Sequence, residues 1–267
     1  MKKIIQNIIP PILVSFLKKI KGNKYGWKGN YSTWEEAKRD ASGYDETKIL
    51  TAARESLLKV KNGEAVYERD TVLFDEVQYS WPLLSGLMFT AIKNKEVRVL
   101  DFGGSLGSTY FQNKSFLDKI DNVSWSIVEQ KHFVDIGKKE FEDNRLKFYY
   151  NVEECIEVVQ PSTLLLSSVL QYIENPYELL GDILKNNFEY ILIDRTPFNA
   201  KDNEQIKLQI VPPNIYDASY PCWFFNERKF FDFFENKGYQ LVETFIANDL
   251  GGDTYSFKGM IWIKDVR

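Results

Sequence analysis

From Val97 onward the chain alternates short apolar runs with helical stretches, the pattern of a parallel sheet covered on both faces by helices. Candidate strands are 97–101, 123–129, 145–150, 162–167 and 188–194. Each is short and apolar, as strands buried on both faces are. The clearest intervening helix begins at Asn175-Pro176, where a cap residue precedes a proline whose missing N–H is harmless in the first turn. A helix capped by Asn226 and stopped by Gly238 precedes two last strands, 239–247 and 256–264. Only Asn248–Tyr255 separates this pair, too little for a crossover, so the two are antiparallel neighbours. The expected fold is α/β, a seven-stranded, mostly parallel sheet with an antiparallel last strand, plus an N-terminal helical extension.

The first third reads differently. Residues 24–45 hold five aromatics among glycines and polar residues, and are expected to be an irregular connector. Asp45 can cap a helix to about Lys61, with Ile49, Ala53, Leu57 and Val60 on one face and Asn62-Gly63 ending it. Ser80 and Pro82 mark a helix over roughly 82–93. The expected division is 1–95, an N-terminal basic helix and helical cap, and 96–267, the α/β domain.

Charge is unevenly spread. The first 28 residues carry seven lysines and no acid, although the whole chain has a net charge of −4. The body is therefore acidic, and it lacks the electrostatic footprint that nucleic acid selects. The basic head suits an anionic membrane surface or an acidic partner. Its apolar run from Ile4 to Ile20 is broken by Asn7 and Pro10-Pro11, too short to span a bilayer. Lys18-Lys19-Ile20-Lys21 stands where a signal peptide would need small residues. Two readings stay open for residues 1–28: a peripheral membrane helix, or a helix packed on the body or on a second subunit. Cys155 and Cys222 form no disulfide framework or zinc spacing and read as small buried apolar residues. The expected location is cytoplasmic, peripheral at the inner face of the membrane. His132 is the one histidine, so a multi-histidine metal site is excluded, no metal is expected, and hydrolase triads are severely limited.

The most informative stretch is Val97–Gly107, in which a strand ends in Asp101 and turns through Phe102-Gly103-Gly104-Ser105-Leu106-Gly107 into a helix. Glycines are needed where the backbone turns tightly and approaches a ligand closely. An acid just before the loop would repel a pyrophosphate but suits the ammonium group of a methionine moiety. The next strand ends in Glu129, placed to accept from both hydroxyls of a ribose, with Gln130 beside it.

The Asp101–Gly107 loop resembles the first signature of the Rossmann-like (class I) methyltransferases, D-x-G-x-G-x-G, with Ser105 in place of the middle glycine. From about Gly26 the chain is similar to a family of methyltransferases encoded in bacterial surface-polysaccharide gene clusters. The shared features are Gly43-Tyr44, Tyr67–Asp70, Tyr79–Pro82, Leu100–Gly107, Val128–Gln130, Ser167–Tyr172, Asp194–Pro197 and Ala218–Pro221. The resemblance implies a Rossmann-like fold, S-adenosyl-L-methionine as cofactor and a role in glycan or cell-envelope assembly.

Ligands of such sheets gather at the carboxyl ends of the strands. That places Ser167, Ser168, Gln171 and Tyr172 after the fourth strand, and Asp194 and Arg195 after the fifth, near the methyl group. A sugar hydroxyl would need a base, for which Asp194 is the first candidate and His132 the second; a salt bridge or cap is the plain alternative for Asp194. His132 also suits the adenine or ribose pocket. The fourth-strand loop lacks the Asn-Pro-Pro-Tyr type of sequence found in nitrogen methyltransferases, favouring an oxygen acceptor on a sugar or glycan substrate. Residues 195–225, with four prolines and six aromatics, read as a substrate lid or as a packed crossover. Glu68-Arg69-Asp70 could reach over the cleft from the helical cap, or form a solvated turn. A cofactor-binding, non-catalytic subunit remains a second reading. A nicotinamide-dependent sugar oxidoreductase is disfavoured, because no lysine stands four residues after Tyr172.

Overall fold

The computed structural model describes residues 24–43, 46–213, 215 and 218–265. The expected N-terminal helix and the Asp45 cap lie outside the described residues. Along the chain come β1 (Gly26–Tyr31), α1 (Trp34–Asp40), α2 (Glu46–Lys61), β2 (Tyr67–Arg69), β3 (Val72–Phe74) and α3 (Trp81–Asn94). Then follow β4 (Val97–Phe102), α4 (Ser108–Leu117), β5 (Val123–Val128), α5 (Lys131–Ile136), β6 (Leu146–Tyr149), α6 (Val152–Val159) and β7 (Thr163–Ser167). The chain continues through α7 (Pro176–Ile183), β8 (Tyr190–Asn199), β9 (Gln205–Ile210), β10 (Ser219–Phe224), α8 (Glu227–Asn236), β11 (Tyr239–Ile246) and β12 (Tyr255–Lys264).

Seven strands form the central sheet in the order β11-β12-β8-β7-β4-β5-β6, which is a Rossmann-like α/β fold. β8, β7, β4, β5 and β6 run parallel, and β12 pairs antiparallel with both β8 and β11. Alternate strand side chains feed two cores. Val99, Trp125, Ile127, Leu165 and Leu192 meet α2, α3, α4 and α5, whereas Leu100, Val128, Leu164, Leu166, Ile191 and Ile193 meet α6, α7 and α8. Burial on both faces explains the near-continuous apolar strands. From β4 the chain crosses to β5 on one side, and β7 lies on the other. The carboxyl ends of β4 and β7 therefore flank a switch point where a crevice opens.

Local chemistry accounts for the ends of several elements. Asn226 accepts from the Lys229 N–H at 2.8 Å to cap α8, and Gly238 (φ +78°) ends the segment in the left-handed region. Asn151 caps α6 in the same way, at 2.8 Å from the Glu154 N–H.

Three expectations are corrected. Residues 24–45 are not an irregular connector throughout but contain β1 and α1. The first third is not all helical: β2 and β3 form a hairpin turned by Asp70 (φ +51°) and Thr71 (φ +69°), the positive pair of a tight two-residue turn. Residues 195–225, expected as one long loop, hold strands. β8 runs on to Asn199, and β9 is the centre of a second sheet, β1-β9-β10, whose members lie far apart in sequence. Pro221 lies within β10, which is an edge strand, where a missing N–H is tolerated. Long-range pairing, not local propensity, makes this small sheet.

Candidate functional site

At the carboxyl ends of β4, β5, β7 and β8 lies a cleft of about 1010 Å³. Its floor is the Asp101–Gly107 turn. Gly103 (φ +70°) and Gly104 leave bare backbone there. A methyl at Gly103 would come within 2.4 Å of Val169, and one at Gly104 within 2.5 Å of the Asp101 carboxyl. The Asp101 side chain is thus seated directly beneath Gly104. It is 1% exposed and accepts from the Trp125 indole N–H at 3.0 Å. Burial, with Glu129 nearby, pushes its carboxyl up to about 7. Asp101 faces the cleft across the opening that glycine leaves.

Glu129 follows β5 and is wired to the same turn. Its Oε1 accepts from the Ser105 N–H at 3.3 Å and its Oε2 from the Gln130 N–H at 2.7 Å. Burial raises this carboxyl as well. Each oxygen keeps acceptor capacity toward the cleft. Ser105, at the position where the signature has a glycine, adopts φ +53°. Ser168 after β7 and Arg195 in β8, both at φ +55°, are similarly left-handed. Such backbone persists where surrounding contacts enforce it, and here all three positions line one cleft.

β8 contains a bulge. Thr196 pairs with Lys258 and Ile193 with Met260, so Asp194 and Arg195 together oppose Gly259. A side chain at Gly259 would collide with Phe245 and the Ile193 carbonyl, at 2.1 and 2.6 Å. The bulge lets both Asp194 and Arg195 line the cleft. Asp194, 2% exposed, accepts from the Arg195 N–H at 2.9 Å, and burial pushes its carboxyl up to about 6. Arg195 joins two loops: its guanidinium donates to Asp249 at 2.9 and 3.0 Å and to both carboxylate oxygens of Asp70. Glu68, 3% exposed, holds the β2–β3 hairpin onto α4, accepting from the Ser108 hydroxyl at 2.7 Å and the Thr71 N–H at 2.6 Å. Its carboxyl is raised by burial.

Of the residues singled out in the sequence, Asp101, Phe102, Gly103, Gly104, Ser105, Glu129, Gln130, Ser167, Ser168, Tyr172 and Asp194 come together around this cleft. Gly107 and His132 do not line it. Gly107 (φ +107°) precedes α4, where a side chain would press on Ile127 and Leu146. His132 is exposed near the start of α5. Gln171 is fully buried and donates to the Ser168 hydroxyl at 3.0 Å, bracing the β7 loop. Tyr172 donates to Gln209 at 2.8 Å. Asp249, Gln209 and Trp27 also line the cleft and went unnoticed in the sequence. The only hint of the bulge was a glycine, Gly259, inside a strand.

No family model matches the chain, and no curated protein does. Solved structures of related shape exist. The N-terminal domain of EvdMO1, crystallised with S-adenosylhomocysteine and D-fucose, is 13% identical over 84% of this chain and 98% of its own, with a TM-score of 0.48. A S-adenosylmethionine-dependent methyltransferase from Clostridium acetobutylicum is 8% identical over 71% and 93%, at 0.46. Magnesium protoporphyrin IX methyltransferase from Synechocystis, with bound S-adenosylmethionine, is 9% identical over 69% and 79%, at 0.45.

Proposed function

We propose that this chain is a S-adenosyl-L-methionine-dependent methyltransferase that acts on a hydroxyl of a sugar or lipid-linked glycan in cell-envelope polysaccharide assembly. One observation carries the reading: Asp101 and Glu129, at the tips of neighbouring strands, flank the bare Gly103-Gly104 backbone at the switch point. The donor set fits the cofactor. Asp101 supplies negative field for an ammonium group, and Glu129 has acceptor capacity for two ribose hydroxyls. Gly103 and Gly104 leave room for a nucleoside to lie against backbone.

When bound, the cofactor would supply an electrophilic methyl group. The residues of the chain then have three tasks. The turn and Glu129 fix the position of the donor, and in-line positioning supplies most of such a rate enhancement. Asp194, buried at the bulge of β8 with its carboxyl near 6, is ionised at neutral pH and can take the proton of an acceptor hydroxyl. The Arg195 bridge closes the cleft by holding the hairpin at Asp70 and the loop at Asp249 in place. The basic residues 1–28 would hold the protein peripherally at an anionic membrane, close to a lipid-linked acceptor. No helix among the described residues is long and apolar enough to cross a membrane.

The test is calorimetric titration with S-adenosylhomocysteine on the wild type and on Asp101→Ala. Measurable binding that the substitution weakens at least 100-fold is expected. Unchanged affinity in the variant would refute the assignment of the pocket. Transfer of label from S-adenosylmethionine to a glycan panel is the second arm, and binding without any transfer would make the chain a non-catalytic cofactor-binding subunit.

A further inference from the structure

The small sheet brings three cleft-lining side chains onto one rung. In β1-β9-β10, Trp27 pairs with Gln209, and Gln209 pairs with Tyr220. Cross-strand partners project from the same face, so an indole, a carboxamide and a phenol ring stand side by side along one wall of the cleft. Tyr172 completes the group. Its ring meets Tyr220 edge-on at 5.2 Å, and its hydroxyl fixes the Gln209 carboxamide by donating to Oε1. Tyr172 is the sole partner of that carboxamide among the described residues, and Nε2 keeps two N–H donors for a ligand. Trp27 is braced by Phe224 at 5.2 Å and Phe257 at 5.9 Å, and remains half-buried. Flat rings around a fixed hydrogen-bonding amide suit the apolar faces and hydroxyls of a pyranose.

Charge narrows the ligand further. Glu68, Asp101, Glu129 and Asp194 are buried or half-buried acids on the cleft wall. Among the described residues lining the cleft the cations are Arg69 and Arg195. Arg195 is already shared by Asp70 and Asp249, and Arg69 stacks 5.5 Å from the Phe74 ring centre. A phosphate brought inside would meet like charge at low dielectric and be repelled.

We infer that the Trp27–Gln209–Tyr220 rung, with Tyr172, is the acceptor subsite, and that it takes an uncharged pyranose rather than a sugar still carrying its nucleotide phosphate. The inference rests on the methyltransferase reading. It places this reaction after a glycosyl transfer, once the activating phosphates have left the sugar.

Saturation-transfer NMR on the full chain loaded with S-adenosylhomocysteine tests it. The probes are methyl glycosides of neutral hexoses, deoxyhexoses and N-acetylhexosamines, each set against the matching nucleotide diphosphate sugar. At least one neutral glycoside should show transfer to its ring protons, at least tenfold weaker in Gln209→Ala and in Trp27→Ala. Calorimetry with S-adenosylhomocysteine should stay within threefold of wild type in both variants, which reports an intact fold. Nucleotide sugars that bind as well as their neutral counterparts overturn the charge argument. Glycoside signals that survive both substitutions, or no signal from any neutral glycoside, overturn the subsite. Loss of S-adenosylhomocysteine binding by the wild type would instead strike the cofactor reading beneath it.

Discussion

The two walls of the cleft are built on different principles. The proposed cofactor wall is contiguous: the Asp101–Gly107 turn and Glu129 come from two adjacent parallel strands and the loops that follow them. Its geometry is enforced by steric exclusion over a few residues. The opposite wall is assembled from β1, β9, β10 and the β7 loop, with Trp27 brought to Gln209 and Tyr220 through strand register alone. The first wall is a local constraint and the second a tertiary one, so the two should fail in different ways.

The largest expected effect lies on the cofactor wall. In Gly104→Ala the new methyl would sit 2.5 Å from the Asp101 carboxyl, which is already buried and has nowhere to withdraw. Affinity for S-adenosylhomocysteine should fall at least 100-fold by calorimetry, with the far-UV spectrum unchanged. Gly181→Ala, in α7, has no atom near the new methyl and should be silent in the same assay. If both variants bind alike, the local character assigned to this wall is wrong.

Next in size is a difference in pH dependence between two buried aspartates. Asp101 is raised to about 7 and Asp194 to about 6, in each case chiefly by burial. The ammonium group of S-adenosylhomocysteine prefers the ionised form of Asp101, so affinity should drop about fivefold between pH 7 and pH 6 and level off above pH 8. At saturating cofactor and acceptor, turnover should instead be half-maximal near pH 6, where Asp194 loses its proton. Coincident profiles would mean that one carboxyl governs both steps.

How much of this was legible follows the same division. The turn, Glu129 and the seven strands could be read because glycine spacing and apolar runs are short-range signals. Asp194 was legible as a strand-tip acid, but the bulge that admits Arg195 beside it was not. That bulge depends on Gly259 in a strand paired across the sheet. His132 differs: its charge acts on the Glu129 carboxyl, as closeness in sequence suggested, but the first turn of α5 leaves it exposed and off the cleft lining. Gln209 and Trp27 carried no sequence signal, since only register makes them neighbours.

A third effect separates binding from stability at one residue. A carboxyl raised from its ordinary range to about 7 binds its proton more tightly in the folded state. The folded protein therefore loses stability as pH rises from about 4 toward 7, and keeps that cost above it. Asp101→Asn removes the charge and should raise the stability of the free protein at pH 8 by on the order of 4 kcal/mol, about 1.4 kcal/mol for each unit of the rise. Below pH 4 the gain should vanish in chemical denaturation. The same variant should bind S-adenosylhomocysteine poorly. A variant no more stable at pH 8 would show that the Trp125 hydrogen bond already offsets the burial of this charge.

The smallest effect concerns Ser105, which occupies a left-handed position (φ +53°). A β-carbon there costs roughly 1–2 kcal/mol. Glycine removes that strain but gains unfolded-state freedom worth roughly 0.5–1 kcal/mol. The difference leaves Ser105→Gly more stable by about 0.5 kcal/mol, or about 1–2 °C in Tm for a chain of this size. The Ser105 contact with Glu129 is made by the backbone N–H, so the substitution preserves it. Affinity for S-adenosylhomocysteine should therefore remain within twofold of wild type. A tenfold loss would reveal that the Ser105 hydroxyl itself touches the ligand, and that the cofactor wall depends on a side chain where backbone alone is assigned the contact.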